Sequence, residues 1–187
     1  MNAIIRIAVV SALVALALPA KANIITLDLL GKAGAGLLGG NENGITFNGT
    51  PGSGGEFGTG ILFNDVTLQL TINVAWGSGN GFLDLTSPAN NSHIHGPTTS
   101  GGTASFLETA PVLIDLPRVS NSASNGSIAT TVTLTPSQAA DLMAGKFYVN
   151  VHTANNGGGE IRGNIVPEPA CVGFLAIGAC ALMRRRR

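Results

Sequence analysis

The residues best suited to chemistry in this chain are its three histidines, and it has no others. His93 and His95 stand two apart in Ser92-His93-Ile94-His95-Gly96. His152 closes the run Tyr148-Val149-Asn150-Val151-His152. Residues two apart on an extended strand project to the same face, so His93 and His95 point together with Ile94 opposite. By the same rule His152 shares a face with Tyr148 and Asn150, while Phe147, Val149 and Val151 take the core face. If the two strands are neighbours, three imidazoles converge. His-x-His with a distant third histidine is a known arrangement for zinc or copper. Two readings stay open. In one, His93, His95 and His152 are metal ligands; in the other they hydrogen-bond backbone groups and the acids Glu108 or Glu160 and fix loops. No fourth ligand is evident, and no other motif calls for a cofactor.

Glu160 and Arg162 form a second candidate pair. They share a face alternate to Ile161, Gly163 and Ile165. The plainer reading is a structural ion pair with a cross-strand neighbour, worth under ~1 kcal/mol if exposed. The other pairs Arg162 with a carboxylate near the histidines. Catalytic signatures are missing: there is no Gly-x-Ser-x-Gly and no EF-hand loop. Gly34-x-Gly36-x-x-Gly39 matches the dinucleotide fingerprint formally, but it runs into Gly40-Asn41-Glu42-Asn43-Gly44, which cannot propagate the helix that the motif must open. No catalytic residue is assigned, and the chain is expected not to be an enzyme.

The elements that must position these side chains are strands. Asn43-Gly44, Asn48-Gly49, Asn80-Gly81, Asn125-Gly126 and Asn156-Gly157 are turn dipeptides, because both residues tolerate positive φ. Short β-branched runs lie between them. The clearest covers residues 66–76, with Val66, Leu68, Leu70, Ile72, Val74 and Trp76 on one face and Thr67, Gln69, Thr71 and Asn73 on the other. Residues 59–63 form a second strand, joined to it by a hairpin at Asn64-Asp65. Further strands are expected at 24–30, 82–85, 92–95, 112–116, 127–134, 147–153 and 160–165. One helix interrupts them: Thr135 is its N-cap, Pro136 its first residue, Gln138 completes a capping box, and Gly145 ends it. Glycine-rich residues 31–60 read as mostly loop. The fold expected is all-β, an antiparallel Greek-key-like β-sandwich with one short helix.

Composition narrows the function. Of 187 residues only 11% are charged, and the net charge is zero. That zero hides an asymmetry. Between residues 23 and 165 four basic residues face nine acids, five net negative charges, so no basic stripe exists for nucleic acid. Both cysteines, Cys171 and Cys180, lie near the C-terminal end, so the domain itself holds no disulfide and must rely on its core.

The two ends read as addresses. Residues 1–22 have the form of a secretory signal: Arg6 is the positive region, residues 7–18 are apolar but for Ser11, and Ala20-Lys21-Ala22 has the small-x-small pattern of a cleavage site. The mature chain then starts at Asn23. At the other end Val166-Pro167-Glu168-Pro169 is followed by an apolar run over residues 170–183 and then Arg184, Arg185, Arg186 and Arg187. At ~1.5 Å per residue the run spans about 21 Å, short of the ~30 Å hydrocarbon core. Four arginines will not cross a bilayer, so they stay cytoplasmic and hold a transient membrane anchor. This three-part end resembles the PEP-CTERM sorting signal. The resemblance implies that exosortase, a membrane protease, cuts near Pro-Glu-Pro after signal peptidase has acted. It also implies export to the cell envelope, cell surface or beyond.

Three stretches resemble the CHRD domain. They are His93-Ile94-His95-Gly96-Pro97, then Leu134-Thr135-Pro136-Ser137-Gln138 running to Gly145, then residues 148–153 with Gly159-Glu160-Ile161-Arg162-Gly163-Asn164-Ile165. Their order and spacing match over about residues 57–165, with residues 23–56 a glycine-rich N-terminal part. The family's Glu-Val-Pro-Pro-like front segment is missing, and Asn164 stands where Gln is more usual. The resemblance implies an antiparallel sandwich in an extracellular setting and no settled activity. His-x-His on a sandwich is also weakly similar to copper-zinc superoxide dismutase, whose further histidine ligands have no counterpart here. The function expected is structural or adhesive contact with exopolysaccharide or other extracellular proteins, with metal binding by the three histidines as the alternative.

Overall fold

The computed structural model describes residues 21–118 and 124–168. Residues 1–20 of the expected 1–22 signal, and the tail from Pro169 through the four arginines, lie outside the described residues. Ten strands are described: β1 Ile24–Gly31, β2 Gly34–Ala35, β3 Leu37–Leu38, β4 Ser53–Asn64, β5 Gln69–Trp76, β6 Ala89–His95, β7 Val112–Asp115, β8 Gly126–Thr133, β9 Phe147–Thr153 and β10 Ile161–Pro167. The single α-helix among the described residues, α1, spans Pro136–Met143. All pairings are antiparallel, and the order β8-β5-β4-β1-β10-β9-β6-β7 runs through both layers of the sandwich. The expected all-β sandwich with one short helix is what the chain forms.

β1 joins the layers. Its residues Ile24 to Leu27 pair with Ile61 to Asn64 of β4, while Leu27 to Leu30 pair with Asn164 to Pro167 of β10. A strand that switches sheets in this way makes the corner of a sandwich. Between the layers lies one apolar core, in which Ile61, Leu70, Ile72, Val74 and Trp76 meet Ile94, Phe147, Val149, Val151 and Ile161.

Three local expectations need correction. The long strand begins at Gln69, not Val66. Asn64 Oδ1 accepts the backbone N–H of Val66 at 3.0 Å and of Thr67 at 2.9 Å, closing a turn, and Leu68 takes a φ of 56°. Val66 is therefore 47% exposed, whereas Leu70 is fully buried. Residues 82–85 are not a strand, although Leu85 still enters the core. Residues 31–60, read as mostly loop, contribute β2, β3 and the first two thirds of β4. Glycine masked that strand. A Cβ at Gly54 would stand 2.5 Å from the Ala75 carbonyl oxygen, so the close approach of β5 requires glycine there.

The helix follows its sequence signals. Thr135 Oγ1 accepts from the Gln138 N–H at 3.2 Å, and Gln138 Oε1 accepts from the Thr135 N–H at 2.9 Å. Ala139 and Leu142 are its buried residues, and Gly145 takes a φ of 70° just past its end. Among the described residues no helix is long and apolar enough to cross a membrane.

Candidate metal centre

β9 lies between β6 and β10, and the register of these three strands builds the site. Tyr148 pairs with His95 on one side and Asn164 on the other; Asn150 pairs likewise with His93 and Arg162. Paired residues share a face, so His93, His95, Tyr148, Asn150, His152, Arg162 and Asn164 all stand opposite the apolar core. Much of that second face is closed to water. Residues 105–110 and 39–52 cover it, and Asn150, Glu160, Arg162 and Asn164 are all buried.

The expected convergence is present. His93, His95 and His152 each offer a ring nitrogen, and the three nitrogens lie within 4.8 Å of one another. His93 Nδ1 is 3.2 Å from His152 Nε2. Two ligand nitrogens ~2.0–2.1 Å from one tetrahedral zinc stand about 3.3 Å apart, so this spacing suits a shared ion. The other ring nitrogens are committed elsewhere. His95 Nδ1–H donates to the Ala110 carbonyl at 2.9 Å, and His152 Nδ1–H donates to the Gly157 carbonyl at 3.0 Å. A proton on Nδ1 leaves a lone pair on Nε2, so both Nε2 atoms are free to ligate. His95 Nε2 is buried without a partner. His93 Nε2 faces Asp115 Oδ1 at 3.3 Å.

Metal binds the neutral imidazole, and burial favours that form at His93 and His95. Burial holds the His93 imidazole below its ordinary pKa, helped by His152 and opposed by Asp115. Burial does the same at His95, against the hydrogen bond to Ala110. Neither Glu108 nor Glu160 touches the histidines. Glu108 accepts the N–H of Thr99 and of Ser100, so the backbone contacts expected for the histidines are present but these acidic partners are not.

Glu160 and Arg162 are buried and not an ion pair, neither with each other nor with a neighbour among the described residues. Glu160 Oε1 accepts from the N–H of Gly52 and of Thr86, and Oε2 from the hydroxyls of Thr86 and Thr153 and the Asn156 amide. Burial would raise its pKa, but these hydrogen bonds outweigh it and the pKa is lowered. The carboxylate thus pins the 153–156 turn, which leads to the Gly157 carbonyl that orients His152.

Arg162 donates to the carbonyls of Glu108 at 2.7 Å and Ser105 at 3.2 Å, and to Asn164 Oδ1 at 3.1 Å. Its guanidinium lies 3.5 Å from the centroid of the Tyr148 ring. Since β6 and β10 flank β9, His95 stacks on the opposite face of that ring, with centroids 4.9 Å apart and planes 7° apart. Arg162 therefore holds both the ring behind His95 and the segment that carries Ala110. Tyr148 stands on the His152 face as alternation predicts; Asp115, Ala110 and Gly157 are supporting groups that the sequence did not reveal. Asp115 lay on an expected strand, but only the β6–β7 register, His93 opposite Asp115, puts it at the site.

Pro167 ends β10 opposite Leu27, and the Glu168 N–H reaches the Thr26 carbonyl at 3.5 Å. These two residues of the expected sorting motif are thus seated on β1. The CHRD domain family model matches residues 35–165, starting earlier than the expected 57 because β3 and all of β4 belong to the unit. No curated protein and no solved structure matches the chain.

Proposed function

Because the chain belongs to the CHRD domain family, we propose that it is an exported, non-enzymatic β-sandwich module that holds one zinc or copper ion on His93, His95 and His152. The observation that carries the metal reading is the meeting of three imidazole nitrogens within 4.8 Å, two of them set by backbone carbonyls on the far side of the ring. Hydrogen bonds to the outer nitrogen of a metal-ligating histidine fix its tautomer and raise its basicity. Export rests on the sequence of residues 1–22 and on Pro167-Glu168-Pro169 with Arg184, Arg185, Arg186 and Arg187, which mark the chain for signal peptidase and exosortase. Outside the cell the domain makes structural or adhesive contacts with polysaccharide or protein through an acidic surface rich in Ser, Thr and Asn.

The test of the metal reading is the metal content of secreted, tag-free protein after equilibration with zinc or copper and exhaustive dialysis. Close to one ion per chain is expected in wild type and close to none in the triple variant His93→Ala, His95→Ala, His152→Ala. A wild type that retains no metal would remove the reading and leave the histidines a structural role.

A further inference from the structure

Resting on the metal reading above, we infer that the centre is open: three histidine nitrogens bind the ion, Asp115 orients one of them from outside, and the remaining coordination position takes water or a small anion. The ligand atoms follow from the hydrogen bonds. His95 and His152 spend Nδ1 on the carbonyls of Ala110 and Gly157, so each ligates through Nε2. His93 is turned the other way. Its Nε2 lies 3.3 Å from the Asp115 carboxylate, where only an N–H is favourable, so its lone pair is on Nδ1. That lone pair faces the lone pair of His152 Nε2 across 3.2 Å. Two lone pairs at that distance repel, and a shared cation removes the repulsion.

Asp115 cannot then be a fourth ligand. The two nitrogens of an imidazole point away from each other across the ring, so a carboxylate on Nε2 is several ångström from an ion on Nδ1. It is instead a positioning residue that fixes the His93 tautomer. No Cys, Asp or Glu among the described residues joins the three histidines. Three protein ligands with a vacant position are the pattern of zinc sites that exchange a ligand, whereas structural sites are closed by four. Asn150, cross-strand partner of His93 on the same face, has a buried Oδ1 without a partner. His152, only part-buried, and Asp115, 88% exposed at its side chain, put the cluster at the solvent edge of the face.

Cobalt(II) and azide are the probes, applied to the secreted mature protein. Cobalt should bind wild type with the visible bands of a low-coordinate site, and azide should shift them. Asp115→Asn should bind cobalt about 10- to 100-fold more weakly, with unchanged bands and the same azide response. The exposure of Asp115 makes this variant safe for folding. Bands that azide does not move would overturn the open position. Bands altered by Asp115→Asn would make Asp115 a ligand, and equal affinity in that variant would remove its positioning role. If neither cobalt nor zinc binds wild type, the metal reading itself falls.

Discussion

Two buried glutamates answer pH in opposite directions. Burial pushes Glu42 up to about 7, only partly offset by Arg162, and its Oε1 has no partner. A carboxyl raised above its unfolded value binds its proton more tightly in the native state, so its contribution is complete below pH ~4.5 and is lost as pH rises through about 7. Glu42→Gln should therefore flatten the fall in stability between pH 5 and 8, by roughly 2–3 kcal/mol, in urea titrations. A variant that keeps the wild-type slope would show that Glu42 is not the group responsible. Glu160 is the reverse case: its depressed pKa supplies stability above the unfolded value, lost as pH falls. Glu160→Ala strands the donors of Gly52, Thr86, Thr153 and Asn156 and should cost on the order of 2–5 kcal/mol at pH 7. The histidine face was legible from alternation alone. The burial of Glu160 and Arg162 was not, because residues 39–52 and 105–110 supply the cover from far along the chain.

At the level of elements, period two located the strands but could not see where hydrogen bonds end them. Residues 66–68 continue the apolar alternation, yet the Asn64 side chain turns the backbone there and β5 starts only at Gln69. Leu70→Ala should cost ~2–5 kcal/mol, since Leu70 is fully buried between layers, while exposed Gln69→Ala should cost little. Equal midpoints for the two variants in denaturant would mean that β5 faces the other way. The helix was read correctly from four residues, Thr135, Pro136, Gln138 and Gly145, because its signals are local. Thr135→Ala removes the acceptor for the Gln138 N–H and should cost about 1 kcal/mol, measured by thermal melting against a Thr135→Ser control that keeps the cap. The pairing of β1 with both β4 and β10 had no local signal, being set by tertiary closure of the sandwich.

For the whole molecule, the sequence of the ends and the structure of the middle carry separate claims. Replacing Arg184, Arg185, Arg186 and Arg187 with Ser should stop C-terminal maturation, seen by fractionation and mass spectrometry of the processed end. Unchanged processing would contradict the sorting role. Within the sandwich, the pairing of β6 with β9 brings the histidines together only when the fold is complete, so an ion held there binds the native state and stabilises it. At a hundredfold excess over the dissociation constant the gain is ~2.7 kcal/mol, or about 5–10 °C in Tm for a domain of this size. Imidazole binds metal only when neutral, so the gain should vanish as pH falls below ~6. The most direct measurement is thermal unfolding at pH 7 with and without zinc or copper, in wild type and in His93→Ala, His95→Ala, His152→Ala. A metal-dependent rise in wild type that is absent in the triple variant is the expected result. No rise in wild type, or the same rise in both proteins, would contradict a metal centre on these three histidines.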